Sequence, residues 1–257
     1  MALSGLPEDG EFRLGSVILA DGRRMAVSDG FGDPVIWVTT QPVPDAGMAW
    51  AALSDAQERT GLAPFLLPDF VADFGEPADV AALDYLDAAQ LLEERWDGEM
   101  PSDYEDQDDD EWMAMRAPFS RTFPGLAPAE ELHLSPARRE QALSALPPAH
   151  IGLAAARRSA DVLALIGWQG SDQFDDALPI ATVVRSWEDR FWAKLLRVDF
   201  AEIQLLAERP PSTVETAQRL AAEMLAFCDE YGGQGLHDIP RITAALMSSP
   251  IWTFWWD

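Results

Sequence analysis

The residues best placed to do chemistry in this 257-residue chain lie in the run Arg185-Ser186-Trp187-Glu188-Asp189-Arg190-Phe191. On a helix, Arg185 and Asp189 stand four apart and can pair on one face, while Trp187 and Phe191 share another. Glu188 and Asp189 are candidates for an acid/base couple or a cation site. Against this, neighbouring helical residues point about 100° apart and do not converge on one atom. The simpler expectation is two aromatics in the core and the charges in a surface network. The ending Phe254-Trp255-Trp256-Asp257 gathers aromatics at a strand end. Strand alternation sends Trp255 one way and Phe254 and Trp256 the other, so an aromatic-lined pocket competes with core packing. Asp257 is a candidate partner for Arg185 or Arg190. The candidate binding set is Arg185, Glu188, Asp189, Arg190, Trp255, Trp256 and Asp257.

Other constellations fail on context. Cys228 sits on the inward side of a helix beside Asp229 and Glu230, whereas a reactive thiol needs an electropositive, partly exposed site. His133, His150 and His237 lack ligand spacing, so no zinc site is expected. Tyr231-Gly232-Gly233-Gln234-Gly235 follows a helix instead of opening one, which removes the phosphate-loop reading. No nucleophile elbow or nucleotide-binding loop occurs. No catalytic residue, metal or cofactor is therefore assigned, and a non-enzyme is the expectation.

Charge is the outlying property. Forty-four acids against 18 bases give −26, and Lys194 is the single lysine. Segment 97–111 holds nine acids and no base. Such a block repels itself and reads as a solvated loop, or as an acidic docking patch formed by Asp103, Glu105, Asp106, Asp108, Asp109, Asp110 and Glu111. It lacks the residue order of a calcium-binding loop. A field of this sign repels nucleic-acid phosphate and anionic lipid and attracts basic proteins. A basic protein is thus the expected partner, with neither nucleic acid nor membrane. One cysteine, no apolar run of about 20 residues and an acidic start without a basic leader point to the cytoplasm.

The elements that must position these groups are legible from period and punctuation. Strands are expected within Phe12–Leu19, at Met25–Val27 as its hairpin partner, at Val35–Val38 and at Phe65–Leu67. Helices are expected from Asp45 to Arg59, with Met48, Ala52 and Leu53 inward, and from Ala78 to Trp96. A Pro-rich connection, 118–148, holds a short helix near Ala137–Ala145. From His150 the order is strand 150–154, a short helix from Ser159 or Asp161, helix Asp176–Trp192, strands Leu195–Phe200 and Glu202–Ala207, and a helix opened by a Ser212/Glu215 capping box with Val214, Leu220, Met224, Leu225 and Cys228 inward. A short helix capped by Asp238 and strand Ile251–Trp256 close the chain. This β-α-β-β-α-β order predicts an α+β fold: a ferredoxin-like antiparallel sheet over 149–257 with helices on one face, preceded by a smaller strand-rich part over 1–148, with Pro147-Pro148 as the boundary.

Particular residues in the second part also match a known pattern. They are Ala160 through Trp168, Arg185-Ser186-Trp187-Glu188-Asp189-Arg190-Phe191, Arg209-Pro210-Pro211, Ala226-Phe227-Cys228 and the final Pro250-Ile251-Trp252-Thr253-Phe254-Trp255-Trp256-Asp257. Together, from about residue 150 onward, they resemble domain-of-unknown-function family 4253, a bacterial family common in actinobacteria; Pro124-Gly125-Leu126-Ala127-Pro128 is similar too. Trp192 departs from the Gly of that pattern, and Asp229-Glu230-Tyr231 from its usual continuation. The resemblance implies a fold and a cellular setting and carries no catalytic residue. The expectation is a non-catalytic, immunity-like interaction module for a basic protein. The alternative is a small-molecule-binding protein or enzyme with a pocket between the Trp-Glu-Asp-Arg helix and the terminal aromatics.

Overall fold

Strands buried at every position must be covered on both faces. Ile36–Thr39 (β4), Ala63–Leu67 (β5) and His150–Ala154 (β6) meet that description. The computed structural model describes residues 5–27, 33–68, 74–97, 113–170, 174, 176–228 and 238–256. In it these strands lie inside a seven-stranded sheet of order β3 (Gly22–Met25), β4, β6, β5, β7 (Ala193–Val198), β8 (Glu202–Ala207) and β9 (Ile251–Trp255). Every neighbouring pair is antiparallel except β5 and β7. A separate hairpin, β1 (Phe12–Leu14) and β2 (Val17–Leu19), turns through Gly15 at φ 60.

One face of the sheet packs against α3 (Ala88–Asp97), α5 (Asp161–Leu165), α6 (Ala177–Phe191), α7 (Val214–Phe227) and α8 (Ile239–Ser248). Its centre is aromatic. Trp187 stacks on Phe254 at 5.1 Å and meets Phe227 edge-on at 5.0 Å, and Trp256 meets Trp168 edge-on at 5.3 Å. Each such pair contributes about 0.5–1.5 kcal/mol beyond area burial. The other face is covered by α1 (Ala46–Ser54), α4 (Pro136–Ser144) and the β1–β2 hairpin around Trp37, Trp50, Leu66, Ile151, Leu196 and Leu206. A four-residue helix, α2 (Gln57–Thr60), ends at Gly61, φ 74.

The α+β class stands, and the elements of 150–257 follow one another as expected. Their strands do not form a four-stranded sheet of their own. β5, from the first part of the chain, lies between β6 and β7, and β6 pairs with β4 as well. Strands from both sides of Pro147-Pro148 thus make one sheet. The reason is the burial of β6 on both faces and both edges, which needs neighbours that 150–257 does not supply on that side.

The parallel β5–β7 seam has a single register pair, Leu66 with Arg197, beside a register shift between Leu195 and Arg197. Side chains complete it. The Trp50 indole N–H is shared by the carbonyls of Pro64 and Leu195, both at 3.1 Å, and the Ser159 hydroxyl accepts from the Leu195 N–H at 2.8 Å. Buried backbone groups are satisfied in this way by a helix from one part of the chain and a loop from the other.

Local departures have local causes. The expected helix 78–96 divides into a 3-10 helix (Val80–Tyr85) and α3, because Asp87 accepts from the Ala89 N–H at 2.8 Å and caps a new start. The expected 45–59 helix divides likewise at α1 and α2, with Ala46, Trp50, Ala51 and Leu53 inward and Met48 exposed. Thr213, not Ser212, caps α7, accepting from the Thr216 N–H at 3.1 Å. The backbone N–H and hydroxyl of Ser212 instead donate to the Glu130 carboxylate at 2.9 and 2.8 Å, and Val214 is exposed. The first hairpin forms within 12–19, and Gly22–Met25 joins the large sheet.

Candidate functional site

α6 is amphipathic, with Asp176 capping the Leu178 N–H at 2.8 Å and Pro179 in its first turn. Its inward stripe carries Trp187 and Phe191, and the four charges singled out from sequence flank that stripe, with Asp189 the exposed one. Arg185 does not pair with Asp189. It spans to Asp161 at 2.6 Å and Asp84 at 2.8 Å, linking α6 to α5 and the 3-10 helix. Asp189 pairs instead with Arg158 at 2.6 Å, while Arg158 also donates to Glu188 at 3.0 Å and to the Arg185 carbonyl at 2.9 Å. Partners outside the helix are better because an arginine there reaches two carboxylates at once.

Glu188 has both oxygens occupied, one by Arg158 and the other by the Ser159 N–H at 2.9 Å. Ser159 is the residue whose hydroxyl completes the β5–β7 seam. Glu188 therefore fixes the loop that holds the sheet together. Burial alone would lower the Arg158 and Arg185 pKa values, but the hydrogen bonds and charges of their carboxylates outweigh it and hold both raised. These cations stay charged at any ordinary pH.

Arg190 takes a third direction, into the core. Its guanidinium forks onto Glu223 at 2.6 and 2.8 Å and also reaches the Ala127 carbonyl at 2.9 Å. Glu223, on α7, is fully buried and accepts in addition from the Trp187 indole at 2.9 Å and the Ala127 N–H at 2.6 Å. All its acceptor capacity is spent on the protein, so it is an architectural clamp between α6, α7 and the 124–128 stretch.

Of the terminal aromatics, Trp256 is core, and Trp255 is half-buried on the opposite face. Asp257 and the acidic set Asp103–Glu111 lie outside the described residues. The structure brings Arg185, Glu188 and Asp189 together through Arg158, and it separates them from both Arg190 and Trp255. Cys228 is buried and donates to the Trp255 carbonyl at 3.1 Å. Among the described residues no group of three or more His, Cys, Asp and Glu is arranged to hold a metal ion.

The face of β7–β9 opposite the aromatic core holds polar groups that sequence reading passed over. Register sets Arg197 beside Gln204 and Gln204 beside Thr253, with Glu202 beside Trp255. Arg197 donates to Asp199 at 3.0 Å and Gln204 to Glu202 at 3.0 Å. Among the described residues, the buried Arg197 Nε and Gln204 Oε1 have no hydrogen-bond partner. Burial raises the Glu202 pKa above its ordinary value, aided by the Asp199 charge and opposed by Arg197 and Gln204. Period-2 reading of Glu202-Ile203-Gln204-Leu205 exposes this polar row. Glu223 likewise betrays itself by standing three after Leu220 and four before Phe227, on the apolar stripe of its helix.

Trp192 ends α6 in a left-handed conformation, φ 49 and ψ 39. That is where glycine is favoured, which accounts for the Gly of the resembled pattern and not for the Trp that stands here. Its ring is 42 % exposed and lies under Arg209 at 3.9 Å and against His133 at 4.9 Å.

No helix among the described residues is long and apolar enough to cross a membrane. No curated protein and no solved structure matches the chain. The aromatic core, the α6 charges and β6–β9 all fall within residues 150–257, the segment that matches the family model Domain of unknown function (DUF4253).

Proposed function

We propose that this chain is a non-catalytic interaction module whose acidic surface binds a basic protein partner. The observation that carries the reading is the use made of its few cations. Arg139 is held by Asp55 and Glu208, Arg158 by Glu188 and Asp189, Arg185 by Asp84 and Asp161, and Arg190 by Glu223. With 44 acids and 18 bases, arginines turned inward to staple elements leave most carboxylates uncompensated at the surface. Such a field steers a basic protein into encounter and sets specificity more than affinity. An immunity-like role, masking a basic toxin or nuclease, fits the same charge logic. The alternative of a pocket at the Trp-Glu-Asp-Arg helix has less support, since Glu188 has both oxygens engaged by Arg158 and Ser159 and Asp189 is 66 % exposed.

The test is capture on the immobilised full chain from extracts of its own cell at low salt, elution along a salt gradient, and remeasurement with the purified partner. The expected result is a basic protein whose affinity falls steeply with salt. Reversing Asp103, Glu105, Asp106, Asp108, Asp109, Asp110 and Glu111 to Lys should weaken it at least tenfold. A partner of neutral or acidic character, or binding indifferent to salt, overturns the proposal.

A further inference from the structure

The two edges of the sheet are treated differently. On β3, Gly22 exchanges both backbone hydrogen bonds with Gly10, at 2.8 and 3.0 Å, and the Arg24 N–H donates to Asp9 at 2.8 Å. Two arginines, Arg23 and Arg24, stand on that short strand. These are the devices by which proteins close an edge. β9, at the other edge, reads Ile-Trp-Thr-Phe-Trp, without a charge or a proline.

Hydrogen-bond parity identifies what β9 leaves open. The Trp256 N–H donates to Ala201 and the Ala207 N–H to Pro250, both at 2.9 Å. Antiparallel alternation then turns the backbone of Trp252 and Phe254 toward β8 and that of Ile251, Thr253 and Trp255 outward. Ser249 serves both Ile251 groups at 3.1 Å, and Cys228 serves the Trp255 carbonyl. Among the described residues, the Thr253 N–H and C=O and the Trp255 N–H are left without a partner. Beside them, on the face opposite the aromatic core, lie the half-buried Trp255 ring and the half-buried Glu202.

Resting on the basic-partner reading, we infer that β9 is a docking edge that takes an extended segment of that partner as an eighth strand, with an Arg or Lys of the segment lying across Trp255 toward Glu202. An added strand would stand about 10 Å, two strand spacings, from β8. A long cationic side chain and the Glu202 side chain close that distance between them. Main-chain hydrogen bonds supply the docking and the alternate side chains the selectivity. A second copy of this chain is the wrong occupant, because it brings another −26 to the same edge.

The probe is a synthetic nine-residue peptide alternating Arg and Val, with its Glu/Val counterpart, titrated into the full chain. Affinity is read by fluorescence anisotropy and amide exchange by NMR. The expected result is binding of the Arg peptide alone, with exchange at Thr253 and Trp255 slowed at least tenfold. Thr253→Pro removes an outward N–H that an edge strand can spare and should weaken binding at least fivefold. Glu202→Gln leaves the backbone untouched and should weaken it severalfold, so the proposal is tested even if the proline variant folds poorly. Binding of the Arg peptide unchanged by both substitutions overturns the docking edge while the electrostatic reading survives. A basic protein captured in the first experiment without protection of Thr253 does the same, and a dimer of this chain that Thr253→Pro dissolves overturns the choice of occupant. If neither the peptide nor any basic protein binds, both readings fall.

Discussion

Replacing Arg190 by Met should be the most damaging single change outside the apolar core. Glu223 is 0 % exposed and takes four hydrogen bonds, two of them from Arg190. Without the guanidinium, a buried carboxylate is left with two neutral donors, the Ala127 N–H and the Trp187 indole. Breaking a buried pair from one side costs about 3–5 kcal/mol. At about 2–4 °C per kcal/mol for a chain of this size, the melting temperature should fall by on the order of 10 °C. Glu223→Met should cost about 2–4 kcal/mol, since it orphans those two donors while Arg190 keeps the Ala127 carbonyl and Ser186. The double Met variant carries neither charge, so its loss should be about 2–3 kcal/mol, well short of the sum. Urea denaturation at pH 7, with coincident fluorescence and circular-dichroism transitions, measures the cycle. Additive losses, or an Arg190→Met cost under about 1 kcal/mol, would refute the clamp.

Three further changes probe other points of the fold. At Gly152 an added Cβ would stand 2.4 Å from the Phe65 ring directly across the sheet, so Gly152→Ala should cost at least about 1–3 kcal/mol by overpacking. Phe65→Leu in the same chain should restore part of it, and no recovery would place the strain elsewhere. Trp192→Ala keeps the left-handed backbone and loses the ring under Arg209, whereas Trp192→Gly relieves a conformation that costs an L residue about 1–2 kcal/mol. The Gly variant should therefore be the more stable of the two in urea, and the reverse order would discount the backbone term. Glu202 has its folded pKa above the ordinary 4.5, so the folded state binds more protons in that interval and stability falls as pH rises through it. Glu202→Gln should raise the melting temperature at pH 7, with the gain vanishing below about pH 4; an equal gain at every pH would argue against a titrating origin.

What was legible in the sequence was whatever depends on neighbours along the chain. The Asp176 and Asp238 caps, the Gly61 helix end and the alternation of Trp252, Phe254 and Trp256 follow from local spacing, and the structure has them. What depends on neighbours in space was hidden. Nothing in 150–157 says that β5 will sit between β6 and β7, since a strand buried on both faces looks the same at any central position. Arg185 and Asp189 have helical spacing for a pair, yet both find better partners 24 and 31 residues away. Spacing shows only which pairs a helix permits; tertiary competition decides which form.

That competition also explains why the charges gathered on α6 look catalytic in sequence and structural in space. Glu188 reaches the Ser159 N–H, Ser159 reaches the Leu195 N–H, and the Leu195 carbonyl takes the Trp50 indole together with Pro64. The chain of bonds runs from an exposed helix edge to the one parallel junction in the sheet, where 150–257 meets the strand it borrows from the first part. A carboxylate engaged at both oxygens in such a junction is held in place by the fold, and moving it toward a substrate would break the junction. Among the described residues, main-chain capacity is left unspent instead at Thr253 on the edge strand β9, next to the strand that carries Gln204 and its buried, unpartnered oxygen. On the docking-edge reading, main-chain capacity left at a sheet edge is a better guide to where this protein meets something else than the density of charges on α6.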